Sequence, residues 1–529
     1  MNKQPCYLKA NLAAEPLVNQ WYAWPYLIPP STAAMYITHA HLKVMQSFMA
    51  APQIHITALK NPAMAGGPFI NYDQSRVPEI KALMENTTQK QASLVAFANA
   101  IKQLEALLQQ DADGMSLEPL YPKVPDLLKG YVELVYDLKC HPSFRFIEGL
   151  LYHSPYYTPS SQSVALSLID QDQRSCVFGT PYLEEKHRRF VNVPFAAEEW
   201  DIFFAMKQRP TSIGYAKEVL GIQDDAPLFD TFFTEQPPTP PSQYTGDGVR
   251  VRYFGHACLL IETKAVSILV DPLLSYPHES GVERFTAADL PESLDYVLIT
   301  HNHQDHCMFE TLLPLRHRIR NLIVPKSNGG SLIDPSLKLI LQQIGFQQVR
   351  DIDIMERLDI DNGAIYGLPF LGEHADMDIR TKIAYLITLK GHSLLLAADS
   401  NNLEPKLYEH LHDLIGDVEM VFLGMECEGG PLSWLYGPLL TTPLPRKQDQ
   451  SRRFNGSNSK KAVELINGLN PREVYIYAMG TEPWLTFLTS IHYTEESVPI
   501  VESRKVVDYC QEKGIVSERL FGQKEFLLA

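Results

Sequence analysis

Thr300-His301-Asn302-His303-Gln304-Asp305-His306 directly follows the apolar run Tyr296-Val297-Leu298-Ile299. A short apolar run ending in polar residues predicts a buried strand that delivers its last side chains to a loop. Neutral imidazole and ionised carboxylate are the usual ligands of divalent transition metals, and this loop concentrates three histidines and an aspartate. In extended backbone, side chains two apart point the same way, so His301 and His303 can grip one ion. Asp305 and His306 follow a bend and can face a second. The alternative is an exposed histidine-rich loop, and four ligands placed in this order behind a strand argue against it.

Around this loop the same pattern repeats. Val249 to Phe254 alternates, and Cys258 to Glu262 and Val266 to Val270 run apolar, the last stopped by Asp271-Pro272. Further strands are predicted at Asn321 to Val324, Ile383 to Leu389, Leu394 to Ala397, Val418 to Leu423 and Val474 to Tyr477, with helices between, as at Asn402 to Ile415 and Ser459 to Leu469. Alternating strands and helices imply layered sheets flanked by helices, an α/β class.

The segment Gln236-Pro237-Pro238-Thr239-Pro240-Pro241-Ser242, followed by Gly246-Asp247-Gly248, excludes a continuous helix or central strand and predicts an extended linker. The chain is therefore divided into residues 1–235, a linker at 236–248, and 249–529. Before the linker the pattern is that of a large, mixed, helix-rich domain. Ile80, Leu83, Met84, Leu94, Phe97, Ile101, Leu104 and Leu108 recur at helical steps, predicting one long amphipathic helix or two in tandem. The stripe suits a core face or a homodimer seam. Trp21 to Tyr26 and Leu151 to Tyr157, rich in aromatics and proline, read as packed loops able to cover an active site.

At 529 residues the chain is long enough for two or more domains. A net charge of −16 makes wholesale nucleic-acid binding an unsuitable function. Seven scattered cysteines without a CxxC pair predict reduced thiols and a cytoplasmic setting. Met1-Asn2-Lys3-Gln4-Pro5 lacks the apolar core of a signal peptide, and no apolar run is long enough to span a bilayer.

The His-x-His-x-Asp-His run resembles that of the metallo-β-lactamase superfamily. The resemblance implies an αββα sandwich with metals at the strand ends. It also points to Asp271 as a structural aspartate beside the metal loop, although an Asp-Pro turn explains that residue equally well. Asp399, closing Leu394 to Ala398, resembles the superfamily's bridging aspartate. Glu373-His374 lies between and supplies the next ligand. The place where superfamily hydrolases carry a last histidine reads Ala478-Met479-Gly480, and His492 lies too far on to replace it.

If Glu373 rather than His374 is the ligand, the donors are His301, His303 and Glu373 on one metal, Asp305 and His306 on the other, and Asp399 between. Three imidazoles and three carboxylates suit iron or manganese better than a histidine-rich set does. With Gly372-Glu373-His374 and Ala398-Asp399-Ser400, the chain resembles the diiron β-hydroxylase family of chloramphenicol biosynthesis, as it does in total length and in Leu423 to Gly430. The resemblance implies a non-haem diiron monooxygenase that uses dioxygen and an external electron donor fed by a reductase. Its substrate would be an aminoacyl thioester on a carrier domain of a nonribosomal peptide synthetase, hydroxylated at the β-carbon.

Glu426 is the candidate carboxylate beside the metals, orienting a ligand or carrying a proton; a carboxylate bonded to backbone is the plain alternative. His256 reads as a packed, hydrogen-bonded histidine near the same pocket. Arg446, Lys447, Arg452 and Arg453, with Lys460 and Lys461, form a basic run in an acidic chain. It is either a solvated loop or a landing patch for an acidic carrier domain and its phosphopantetheine phosphate. Two rivals remain: a zinc-dependent hydrolase of the same fold with His374 as ligand, acting on a lactone, thioester or phosphodiester, and a non-catalytic scaffold with a vestigial pocket.

Overall fold

The computed structural model describes residues 5–529 except 62, 63, 65, 224–226, 242 and 491. The first four residues of the N-terminal segment and Ser242 of the linker thus lie outside the described residues.

After residue 249, two seven-stranded sheets pack face to face. The first runs in the order Val349–Ile352, Ile319–Pro325, Leu294–Leu298, Ser267–Val270, Leu259–Glu262, Val249–Tyr253, Lys524–Leu528. The second runs Arg357–Ile360, Gly363–Leu368, Ala384–Leu389, His392–Leu396, Met420–Gly424, Glu473–Tyr477, Val516–Arg519. Register decides which side chains meet. Leu259 pairs with Val270 and Ile261 with Ile268, and these four face the second sheet's Ile365, Ile387 and Phe422. Their neighbours Leu260 and Leu269 point outward, where Leu312, Leu313 and Ile340 cover them. On the far side, the helices Lys406–Ile415, Ser459–Leu469 and Val498–Glu512 bury Leu411, Leu465 and Val506 against Leu395, Val421 and Ile476. Period-two alternation thus builds the inner core and two outer helical layers, an αββα sandwich.

Of the described residues between 236 and 248, none lies in a helix or strand. The region before them is less helical than its periodicity suggests. Besides tandem helices at Val77–Lys90 and Ala92–Asp111, it holds a four-stranded antiparallel sheet in the order Trp21–Tyr22, Leu12–Val18, Gln162–Leu168, Arg189–Val191. The strand Leu12–Val18 is buried at every position, so it lacks alternation, and it carries Glu15 and Pro16. Burial of Glu15 is tolerated because Arg174 reaches it at 2.5 Å and the Tyr182 hydroxyl donates at 2.8 Å. Trp21-Tyr22, read from sequence as loop, is the short strand that closes this sheet, followed by a 3₁₀ turn at Pro25–Leu27.

The two regions share one apolar core, in which Tyr26, Phe97 and Trp200 join Leu260, Val297 and Leu322. A buried polar cluster also joins them. Glu310, just after the metal loop, accepts from Tyr22 and Tyr276 and takes a paired contact from Arg174. Among the described residues all seven cysteines are free thiols, and no helix is long and apolar enough to cross a membrane.

Candidate metal centre

The loop His301–His306 leaves the carboxyl end of a strand flanked by parallel neighbours, the place where open α/β sheets gather ligands. Asp271 closes the adjacent strand. Its carboxylate accepts from the Thr300 amide at 2.7 Å, the Thr300 hydroxyl at 2.6 Å and His306 Nδ1 at 2.8 Å. It therefore ties the loop's first residue to its last ring and turns His306 Nε2 inward. His301 is held similarly, with Nδ1 3.0 Å from the Thr300 hydroxyl, and His303 has Nε2 2.9 Å from the Tyr436 hydroxyl. Each ring thus uses one nitrogen on the protein and presents the other, the arrangement in which outer partners orient metal-binding imidazoles.

Donor atoms converge in three overlapping groups: His301, His303 and Glu373; His301, His306 and Asp399; His256, Asp305 and His306. Within each, all ligand atoms lie within 4.8 Å of one another. His303 Nδ1 is 2.8 Å from Glu373, His306 Nε2 is 3.1 Å from Asp399, and His256 Nε2 is 3.2 Å from Asp305. Asp399 Oδ2 also lies 3.8 Å from His301 Nε2, so this carboxylate stands between the two sides of the cluster. His301 Nε2 and Asp399 Oδ1 are buried without a hydrogen-bonding partner. Buried orphan atoms of this kind are costly, and a pair of cations would satisfy them. The donor chemistry fits two metals.

Electrostatics fit as well. Burial, reinforced by the surrounding imidazoles, holds His301 well below the usual histidine range and so in the neutral form that a metal requires. Burial alone would raise Asp305 and Glu373, yet the histidines beside them hold both well below the carboxylate range. Burial pushes Asp399 up, and the Asp305 and Glu373 carboxylates add to this.

Gly372, Glu373, Ala375 and Asp376 all have φ between 50° and 70°. The segment is therefore not extended. Glu373 turns into the centre, while His374 stacks on His303 with ring centroids 4.4 Å apart and stays buried behind it. His256 is buried near the same pocket, as its sequence reading expects, and its turn (φ +51°) brings the ring to Asp305. Gly255-His256 breaking a strand pair was the available signal. Tyr436, in Leu432-Ser433-Trp434-Leu435-Tyr436, carried none. His492 is exposed beside a separate cavity with Glu482 and Arg519.

The centre forms the floor of a cleft of about 770 Å³. Glu426 lines it with Asp305, Glu373 and Asp399. Burial and then the Asp399, Asp305 and Glu373 charges raise the Glu426 carboxyl well above the carboxylate range, against a hydrogen bond from Tyr493. Of the basic run, Arg453 reaches the cleft wall and donates to the Gly429 carbonyl. Arg452 instead donates to the Ala375 carbonyl, bracing the turn that carries Glu373. Arg446 and Lys447 are exposed on the short helix Arg446–Ser451.

Comparison with known proteins settles the lineage. Residues 7–237 match the N-terminal domain of diiron non-haem β-hydroxylases, and residues 250–424 match a β-lactamase superfamily domain. The 4-amino-L-phenylalanyl-[CmlP-peptidyl-carrier-protein] 3-hydroxylase of Streptomyces venezuelae is 39% identical over 523 residues, covering 97% of this chain and 98% of that protein. This chain belongs to the diiron β-hydroxylase family. The crystal structure of CmlA, a diiron β-hydroxylase from the same organism, superposes on this β-hydroxylase with a TM-score of 0.92 at 38% identity, each chain covered in full. The UPF0173 protein of Pyrococcus abyssi is 32% identical over 127 residues, 24% of this β-hydroxylase and half of that protein. Membership favours an oxygenase with two irons over the zinc-hydrolase and scaffold alternatives.

Proposed function

We propose that this diiron β-hydroxylase hydroxylates the β-carbon of an aminoacyl group held as a thioester on a carrier domain of a nonribosomal peptide synthetase, in the cytoplasm. The supporting observation is the carboxylate-rich donor set on the floor of an open cleft, within a chain homologous throughout to a carrier-dependent aminoacyl 3-hydroxylase. His301, His303 and Glu373 would hold one iron and Asp305 and His306 the other, with Asp399 between and His256 beside Asp305. Two irons, reduced by an external donor such as a reductase, supply the two-electron reduction of dioxygen that hydroxylation requires. One oxygen atom enters the C–H bond and the other leaves as water.

The chain's residues do the rest. Asp271, Thr300 and Tyr436 fix the imidazoles. Glu426, its carboxyl raised by burial and by its acidic neighbours, is placed to hold or return a proton at its carboxyl oxygen. Arg453, at the cleft wall, faces the path of the phosphopantetheine arm, while Arg446 and Lys447 lie outward to meet an acidic carrier. The division at 1–235, 236–248 and 249–529 belongs to the same proposal, with the first part roofing the cleft.

The test is reduced, iron-loaded protein mixed with dioxygen and aminoacyl-loaded carrier. A mass gain of one oxygen atom on the aminoacyl group is expected. Release of a free acid without oxygen consumption would exclude the oxygenase reading. Equal turnover of the free amino acid would exclude the carrier, because remote contacts could then contribute nothing to positioning the C–H bond.

A further inference from the structure

A chain of buried rings leads from the metal loop into the roof. His303 Nε2 lies 2.9 Å from the Tyr436 hydroxyl, and the two ring centroids are 6.3 Å apart. Tyr436 meets Tyr26 at 5.9 Å, and Tyr26 stacks on Trp24 at 4.7 Å with 30° between the planes. Every step is within the range of direct aromatic contact. Tyr436 and Tyr26 are fully buried, and Trp24 is 5% exposed. The chain stops at a chamber of about 100 Å³, which Trp24 lines together with Tyr36 and His41. That space holds a few water-sized molecules and nothing larger. Trp434 lines both this chamber and the metal cleft, but it is not a member of the chain.

The chemistry of these rings decides where an oxidising equivalent settles. Tyr26 donates to the Ile333 carbonyl at 2.7 Å and accepts from Asn302, and the neighbouring Tyr36 donates to the Leu435 carbonyl. With His303 Nδ1 turned toward Glu373, its Nε2 carries the ring proton and donates to Tyr436. The phenols therefore face carbonyls and N–H donors, none of which is a base. A phenol that loses an electron must also shed its proton, whereas an indole gives up an electron as a radical cation and needs no acceptor. Trp24 is thus the resting place, and Tyr436 and Tyr26 are the bridge to it. Such a route serves a cycle that runs without a C–H bond to attack. Two electrons and two protons release one oxygen atom of dioxygen as water and leave the other two electrons and two protons short of water. A seated substrate removes that deficit by taking the oxygen atom into its C–H bond. Without one, two successive one-electron oxidations of Trp24 and two protons from the water-filled cleft complete the second water. The external donor that reduces the irons returns an electron to the indole each time.

Resting on the diiron oxygenase reading, we propose that Tyr436, Tyr26 and Trp24 form a one-electron escape route that carries oxidising equivalents from the metal centre into the roof and spares the metal donors when no reactive C–H bond is in place. Reduced, iron-loaded protein would be mixed with dioxygen in three arms: alone, with glycyl-loaded carrier, whose aminoacyl group has no β-carbon, and with a carrier bearing a larger aminoacyl group. Freeze-quenched samples of the first two arms should show an organic radical by EPR, narrowed when the protein is made with ring-deuterated tryptophan and lost in Trp24→Phe. After repeated cycles, peptide mass mapping should place oxygen adducts on Trp24. In Trp24→Phe and Tyr26→Phe, iron lost per dioxygen consumed should rise several-fold, and oxidation should move to Cys427 and Trp434 in the cleft wall. Hydroxylation in a single turnover with the third arm's carrier should be unchanged in Trp24→Phe, a split that a packing defect would not produce. A radical or adducts centred on Trp434, or a radical unchanged in a folded, iron-replete Trp24→Phe, overturns the proposal. So does dioxygen uptake with no radical or adduct on Trp24 in any arm. No dioxygen uptake in all three arms would instead overturn the oxygenase reading itself.

Discussion

The floor and the roof of the cleft are held in place by different forces. The floor is made of loops at the ends of strands whose backbones are paired on both sides, and Asp271 and Thr300 lock its rings within one turn of chain. The roof, which lines the cleft at Gly66 and Phe178, is held by packing between aromatics far apart in sequence, as where Tyr26 meets Tyr436 at 5.9 Å and its hydroxyl accepts from Asn302. The floor therefore sets the chemistry, since small displacements of metal donors are penalised steeply. The roof touches that floor at Asn302, inside the metal loop, and at Tyr436, the partner of His303.

The sharpest break of that contrast is in the floor. Asp399→Ala removes the carboxylate between the two sides and should abolish binding of at least one iron and all turnover, measured by metal analysis and by Mössbauer spectroscopy of iron-57-loaded protein. Glu373→Ala should behave likewise, while His374→Ala should keep its metals, because His374 stacks behind His303. A full two-iron complement in Asp399→Ala would remove the assignment of the bridge.

Next comes the seam between floor and roof. Glu310→Ala takes away the acceptor of Tyr22 and Tyr276 and one carboxylate of the buried Arg174. Breaking a buried pair from one side costs about 3–5 kcal/mol. Thermal unfolding should fall accordingly while iron content per folded chain is kept. Loss of metal at unchanged stability would show that the seam belongs to the floor instead.

How much of this was legible in sequence follows the same divide. His301 to His306 lie within a single loop and Asp399 ends the apolar run Leu394 to Ala398, so these donors stand out behind apolar runs, whereas Glu373 follows no such run and was picked out by the family resemblance. The left-handed turn at Gly372 to Asp376 was not visible in that way, because the contact that braces it, Arg452 donating to the Ala375 carbonyl, comes from a residue remote in sequence. The strand Leu12–Val18 escaped because two-sided burial erases its alternation. Tyr436 was hidden because its partner His303 lies more than a hundred residues away, which no local pattern records.

Smaller effects separate orientation from ligation. Tyr436→Phe removes the 2.9 Å contact to His303 Nε2 and nothing that touches a metal directly. Iron affinity should drop by about 10–100-fold, as for other outer partners of ligating histidines. In the roof, His41 is neutral when folded and titrates near its ordinary value when unfolded. The folded state then binds fewer protons below pH 6.5, so stability is full above that pH and falls as pH drops toward the folded value of about 3. About 2 kcal/mol should be lost between pH 7.5 and 5 from this ring. His41→Phe should flatten that part of the acid limb in urea titrations at the two pH values.

The finest distinction lies between two adjacent arginines. Arg452 braces the Glu373 turn through the Ala375 carbonyl, whereas Arg453 faces the cleft and touches the protein there through Gly429. Charge reversal should therefore act through different quantities. Arg452→Glu, placing an anion beside a turn already rich in carboxylates, should weaken iron retention and do so at any salt concentration. Arg453→Glu should leave the iron complement intact and slow the reaction with loaded carrier several-fold at low ionic strength, with the difference shrinking as salt rises, since screening beyond about 10 Å removes steering between exposed charges at 0.1 M. Stopped-flow rates at two salt concentrations, alongside metal analysis, separate the two. If both variants lose iron equally, the basic run belongs wholly to the floor and the carrier is met elsewhere. If neither changes the salt dependence, Arg446 and Lys447, further out, become the residues to reverse.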